Sequence, residues 1–201
     1  EPPTIVFYRF LMASIGLGAI LAVKKRLPPL RVFRKPRWLI LLAVATAGLF
    51  GNFILFSSSL QYLSPTASQV IGQLSPVGMM VASVFILKEK MRSTQVVGAL
   101  MLLSGLVMFF NTRGVIFGVG AATVWVSYGV AQKVLLRRLA SPQILFLLYT
   151  LCTIALFPLA KPGVIAQLSH WQLACLIFCG LNTLVGYGAL AEAMARWQAA
   201  Q

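Results

Sequence analysis

The stretch that decides the fold is Leu63–Phe110, which reads LSPTASQVIGQLSPVGMMVASVFILKEKMRSTQVVGALMLLSGLVMFF. It holds two apolar runs, Pro65–Leu87 and Thr94–Phe110, separated by a short basic loop. An α-helix needs about 20 apolar residues to cross roughly 30 Å of hydrocarbon. Neither run alternates polar and apolar residues as the strand of a membrane barrel would. The stretch therefore predicts two membrane-spanning helices, packed antiparallel because the loop between them is short.

The same pattern continues along the whole chain. Hydrophobic residues make up 59% of the 201 residues and charged residues only 10%, whereas a soluble domain averages about a quarter charged. Five further spans are predicted: Thr4–Val23, Trp38–Gln61, Val115–Gln132, Gln143–Ala160 and Trp171–Ala195. We predict an all-α polytopic membrane protein with seven visible transmembrane helices.

The distribution of positive charge among the loops indicates how the chain is oriented in the membrane. A net charge of +14 would suggest nucleic-acid binding in a soluble protein, but here the cations lie at the ends of apolar runs. Thirteen lie in the first, third and fifth loops and two in the even loops. The positive-inside rule then places Lys24–Arg37, Lys88–Arg92 and Lys133–Arg138 in the cytoplasm. We expect a multi-pass inner-membrane protein whose partners are the lipid bilayer and a small-molecule substrate, with no nucleic acid.

Several short motifs carry a family resemblance. They are Ser64-Pro65-Thr66-Ala67-Ser68, Pro76, Leu87-Lys88-Glu89-Lys90, Gln95, Gly98, Gly105, Arg9-Phe10 and Trp125. Together they resemble the EamA family of the drug/metabolite transporter superfamily. The resemblance implies a ten-helix carrier made of two inverted five-helix repeats, with the substrate site near the midplane. On that template, residues 1–112 are the first repeat without its first helix, and residues 113–201 are the second repeat without its last two.

Polar side chains inside the spans are the candidates for a substrate cavity. Thr66, Gln69 and Gln73 follow a 3-then-4 spacing and therefore stack on one face of the third span. Pro76 continues that face, and because it has no N–H it frees a carbonyl near Gly72. The alternative for these polar groups is hydrogen bonding between helices.

Further cavity candidates are spread over the other spans: Arg9, Asn52, Trp125, Tyr128, Asn182, Tyr187 and Glu192. Arg9 can bind a substrate carboxylate bidentately, or it can snorkel to the interface or bond helix-end carbonyls. Glu192 can couple proton binding to transport, or it can form an i, i+4 ion pair with Arg196.

Small residues are expected at helix contacts, because close backbone approach is how helices associate in lipid. Gly98 and Gly105 are seven residues apart and share one face of the fourth span. Gly48 precedes Asn52 on a face of the second span. We expect all three glycines to serve helix packing.

The predicted function is transport of small organic metabolites, such as amino acids or related solutes. A membrane enzyme is the first alternative, but it needs clustered Asp, His, Glu or an activated Ser. The chain has one His and three carboxylates, so we expect no catalytic residue. Cys175 and Cys179 share a helix face without a His or carboxylate to complete a metal set, and we expect no cofactor. A channel is the second alternative, but no charged ring or carbonyl filter is visible.

Overall fold

The computed structural model describes residues 2–29, 35–89, 93–106 and 112–196. These residues form eight α-helices: α1 (Pro2–Val23), α2 (Pro36–Ser59), α3 (Pro65–Gly72), α4 (Leu74–Phe85), α5 (Ser93–Leu106), α6 (Thr112–Leu136), α7 (Ser141–Leu156) and α8 (His170–Arg196). Two 3₁₀ turns, Phe157–Leu159 and Pro162–Gln167, connect α7 to α8. No strand occurs in the described ranges, which confirms the all-α fold class.

Six described segments are long and apolar enough to cross a membrane: Pro3–Val23, Pro36–Ser59, Pro65–Phe85, Ile116–Leu136, Ser141–Leu159 and His170–Arg196. They correspond to six of the seven predicted spans. The seventh, predicted as Thr94–Phe110, appears as the shorter apolar helix Ser93–Gly105. Residues 107–110 of that prediction lie outside the described part, as do residues 30–34 and 90–92 of the basic loops. The polytopic membrane fold is therefore confirmed, while the count of ten helices stays a prediction.

The third span is interrupted at Gln73, the residue that ends α3 and precedes α4. Its backbone has φ −67° and ψ −7°, and its N–H bonds the Val70 carbonyl at 3.1 Å. Pro76 follows three residues later and cannot donate to the Gly72 carbonyl, because proline has no backbone N–H. The interruption therefore lies next to Gly72, the residue whose carbonyl Pro76 was expected to leave free.

The start of α7 is fastened to the first basic loop by a glutamine side chain. Gln143 accepts a hydrogen bond from the Ala140 backbone N–H at 3.2 Å. Its amide donates to the carbonyls of Arg26 at 3.0 Å and Leu27 at 3.3 Å. One side chain thus joins the end of the loop after α1 to the first turn of α7.

The described chain divides into two compact units. The first runs through Thr46 and resumes from Gln132 to Arg196, and the second is Ala47–Ala131. In the first unit, α1 packs against α7 and α8 around fully buried apolar side chains such as Phe10, Leu148 and Leu156.

Glycines in the second unit differ sharply in their surroundings. A Cβ added at Gly48 would lie 2.5 Å from the Val124 carbonyl oxygen and 2.8 Å from the Tyr128 backbone nitrogen. The predicted packing role of Gly48 is therefore confirmed. The same prediction for Gly98 and Gly105 is wrong within the described part of the chain, since an added Cβ would meet no atom within 4 Å at either position. The reason is that their face of α5 is exposed.

Candidate substrate site

A polar centre in the first unit is built around Arg9, which extends from α1 toward α8. Its Nε donates a hydrogen bond to the Thr183 hydroxyl at 3.0 Å. Thr183 is fully buried and lies near the middle of the 27-residue α8. The guanidinium thus points inward to the mid-level of α8, and the structure does not support the alternative in which Arg9 snorkels to the interface.

The acceptor of this bond is itself held in place from two sides. The Thr183 hydroxyl donates to the Cys179 carbonyl at 2.8 Å, which directs an oxygen lone pair toward Arg9. The Tyr149 hydroxyl donates to the Thr183 carbonyl at 3.1 Å. Tyr149 is fully buried and stacks on Phe10, with ring centroids 5.8 Å apart. The contacts therefore join α1, α7 and α8 at one level.

Tyr187 completes this group, which we call the Arg9 centre: Arg9, Tyr149, Thr183 and Tyr187. Tyr187 lies one helical turn beyond Thr183, half-buried and within electrostatic range of Arg9. Further along α1 and α7, the hydroxyls of Ser14 and Thr150 are hydrogen-bonded at 2.8 Å. A cation and several hydroxyls thus lie together inside three apolar helices, an arrangement suited to binding an anionic group.

Three other candidates, Asn52, Trp125 and Tyr128, lie in the second unit. Asn52 donates from Nδ2 to the Ala121 carbonyl at 3.0 Å, so its amide braces α2 against α6. The rings of Trp125 and Tyr128 are tilted against each other with centroids 5.0 Å apart, and Tyr128 is buried while Trp125 is half-buried. For Asn52, the structure supports the alternative to cavity lining, which is a hydrogen bond between two helices.

The face formed by Thr66, Gln69 and Gln73 is exposed on the second unit. These side chains are not sealed in a helix contact, as they would be if their only role were to hold helices together. Lining of a transport cavity by this face stays a prediction.

The last two candidates lie on the exposed side of α8. Asn182 is exposed, although it neighbours Thr183 in sequence. Glu192 accepts from Arg196 at 2.8 Å in an exposed i, i+4 ion pair. The structure thus confirms the ion-pair interpretation of Glu192 and does not bring it to the Arg9 centre.

The sequence analysis did not single out several polar residues of the interior, among them Tyr149, Thr183 and Gln132. Thr183 and Tyr149 become informative only through their contacts with residues far away in sequence. Gln132 closes the predicted fifth span, is fully buried, and has no hydrogen-bond partner for either amide atom in the described part of the chain. An amide at the end of an apolar run was the available signal for Gln132. Among the described residues no group of three or more His, Cys, Asp or Glu side chains forms a metal site.

A helical membrane fold with a cation held between its helices is the architecture of a membrane transporter family. The chain belongs to the EamA-like transporter family, which matches residues 1–111 and again residues 112–201. This confirms the resemblance seen in the motifs.

Two relatives show how near this similarity is. The chain is 94% identical, over 214 aligned positions, to the uncharacterized inner membrane transporter YhbE of Escherichia coli (strain K12), covering 100% of this chain and 67% of that protein. It is 46% identical to an uncharacterized transporter of Haemophilus influenzae, covering 96% of this chain and 67% of that protein. The protein is accordingly a multi-pass inner-membrane protein of a transporter family.

A solved crystal structure shares the fold at lower sequence identity. It superposes with a TM-score of 0.71 at 19% identity, covering 98% of this chain and 71% of that chain. At this identity the likeness extends to the fold alone.

Proposed function

We propose that this protein carries small organic metabolites, such as amino acids or related solutes, across the inner membrane. We further propose that the Arg9 centre binds the solute, and that the protein acts as a carrier and not as an enzyme. The observation that carries the proposal is the bond from Arg9 Nε to the Thr183 hydroxyl at 3.0 Å, which holds a cation at the mid-level of a membrane helix.

The free-energy cost of placing a cation inside the membrane supports a functional role for Arg9. A charged side chain at the centre of a membrane helix costs about 2.5–3.5 kcal/mol on insertion scales, and such residues mark substrate paths and ion sites. Membership of the EamA-like transporter family points in the same direction. Carriers with repeated architecture place their solute site near the bilayer midplane, and Thr183 lies near the middle of the apolar helix α8.

The chemistry of the centre suits an organic solute. A guanidinium presents five N–H donors in a planar fork that matches a carboxylate. Tyr149 and Tyr187 add aromatic surface with a polar tip, the combination that lines many small-molecule sites. In the second unit, we propose that Thr66, Gln69 and Gln73 form the polar wall of the transport path.

The test is a metabolite export and uptake screen. Cells that lack the full-length protein are compared with cells that overproduce it, and intracellular and external metabolites are measured by mass spectrometry. The solutes that respond are then assayed with Arg9→Gln and Arg9→Lys at matched membrane abundance. We expect Arg9→Gln to lower transport per molecule by tenfold or more and Arg9→Lys to lower it less. Normal transport by Arg9→Gln, or no solute that responds, would contradict the proposal.

A further inference from the structure

An apolar cavity of about 410 Å³ lies in the first unit between α1, the 3₁₀ turn Pro162–Gln167 and α8. We call it the outer pocket, because the cation distribution places these helix ends on the outer side of the membrane. Its walls include Thr4, Tyr8, Val164, Trp171, Cys175 and Cys179. The volume falls within the 300–1,000 Å³ range of small-molecule sites.

The 3₁₀ turn borders the pocket, and the residue that precedes the turn is hydrogen-bonded to α1. The backbone N–H of Lys161, the residue just before the turn, donates to the Thr4 hydroxyl at 3.2 Å. Val164 and Ile165 of the turn then contribute apolar side chains to the pocket wall. One wall of the cavity is therefore a connection between α7 and α8 that is hydrogen-bonded to α1 at Thr4.

One residue of the pocket wall is linked to the Arg9 centre by a chain of hydrogen bonds. Cys179 lines the pocket, and its carbonyl accepts from the Thr183 hydroxyl at 2.8 Å. Thr183 in turn accepts from Arg9. Cys179 and Thr183 are four residues apart on α8, which is about one helical turn of 5.4 Å. Tyr8, another wall residue, immediately precedes Arg9 on α1.

We propose that the outer pocket and the Arg9 centre form one extended site for an amphiphilic organic anion. The apolar part of the solute occupies the pocket, and its carboxylate lies at Arg9. This rests on the proposed function and names the substrate class. The charge of Arg9 and the apolar walls of the outer pocket both match an amphiphilic anion. A purely apolar molecule would make no ionic contact with Arg9, and a small hydrophilic anion would leave the apolar pocket empty.

Two native thiols in the pocket wall allow a direct test. Cys175 is exposed, whereas Cys152 on α7 is fully buried and serves as an unreactive reference. The full-length protein in nanodiscs is treated with N-ethylmaleimide, and modification of each cysteine is followed by mass spectrometry. Octanoate is the probe, with acetate and 1-octanol as controls for the carboxylate and the alkyl chain. We expect octanoate to slow modification of Cys175 and Cys179 at least fivefold, and each control to slow it less than twofold.

Two variants locate the two ends of the site. Arg9→Gln should abolish protection by octanoate, and Val164→Trp, which fills the pocket from the 3₁₀ turn, should abolish it with Arg9 intact. Equal protection by 1-octanol, or protection that persists in Arg9→Gln, would contradict an amphiphilic anion as the occupant. Either result would indicate an apolar occupant such as a lipid chain. Absence of octanoate protection in the unaltered protein would also contradict the proposed extended site. The proposed function is judged separately, by transport in Arg9→Gln at matched abundance.

Discussion

Thr183 accepts a hydrogen bond from Arg9 at 3.0 Å although the two residues are 174 positions apart in sequence. The bond joins α1 to the middle of α8, and Tyr149 of α7 bonds the carbonyl of the same threonine. A buried threonine is thus the point at which three helices and one cation meet. Its hydroxyl sets the direction of the guanidinium, which makes Thr183 a positioning residue for the proposed site.

Thr183→Val should therefore impair transport more than it impairs folding. Valine keeps the shape of the side chain but removes the hydroxyl that accepts from Arg9 and donates to the Cys179 carbonyl. Intramembrane hydrogen bonds contribute only about 0.6 kcal/mol on average, so we expect a small drop in thermal stability. Transport per molecule should fall about tenfold, and Thr183→Ser should restore most of it. Equal loss in the serine variant would show that the hydroxyl does not act through Arg9.

Gly48 and Gly98 should respond oppositely to the same substitution. Gly48→Ala places a Cβ within 2.8 Å of the Tyr128 nitrogen, so α2 and α6 must separate, and overpacking of this kind costs about 1–3 kcal/mol. Gly98→Ala meets nothing within 4 Å and gains up to about 1 kcal/mol in helix propensity. Thermal unfolding in detergent and membrane abundance check both. A destabilised Gly98→Ala would show that α5 packs against a surface outside the described residues.

Gln132→Leu should stabilise the folded protein. The Gln132 side chain is fully buried, and neither amide atom has a hydrogen-bond partner in the described ranges. An unsatisfied buried polar group costs about 1–3 kcal/mol, which leucine removes at similar volume. The measurement is the thermal midpoint of the purified protein, which should rise. A lowered midpoint would mean that the amide is paired with a residue outside the described ranges.

Gln73→Leu should reduce transport and leave stability nearly unchanged. Gln73 is exposed at the interruption of the third span, on the face shared with Thr66 and Gln69. Gln143→Leu is the matched control, because that glutamine bonds the Arg26 and Leu27 carbonyls. We expect it to lower stability by about 1 kcal/mol and to leave transport per molecule intact. Transport assays normalised to membrane abundance distinguish the two, and normal transport by Gln73→Leu would remove this face from the transport path.

The basic loops should be cytoplasmic. Single cysteines in Lys24–Arg37, Lys88–Arg92 or Lys133–Arg138, introduced into a variant without native cysteines, should resist an impermeant maleimide in intact cells. They should react once the membrane is permeabilised, whereas cysteines at Arg113 or Lys161 should react in both conditions. The reason is the thirteen-to-two division of cations between the two sets of loops, which the positive-inside rule converts into orientation. The reverse labelling pattern would invert the topology.

Sequence reasoning succeeded where the signal is local. The apolar runs predicted the six long membrane segments and the shorter helix of the fourth span. Pro76 indicated a freed carbonyl near Gly72, but not that the helix would be interrupted at Gln73. The i, i+4 spacing of Glu192 and Arg196 predicted their ion pair. It failed for Gly98 and Gly105, because a shared helix face does not show which face another helix covers. It also missed Thr183 and Tyr149, whose polar groups matter only through partners on other helices.

The sequence by itself determined that the chain lies in lipid as a bundle of helices, since hydropathy over about 20 residues is a property of each segment alone. It also determined the family, through motifs read along the chain. Only the tertiary structure decided that Arg9 turns inward to Thr183 and that Gly48, unlike Gly98 and Gly105, lies at a close backbone contact. It alone showed that Cys175 and Cys179 border a pocket next to a cation. These relationships depend on which helix faces meet, and helix faces in lipid meet through packing and hydrogen bonds rather than through apolar content.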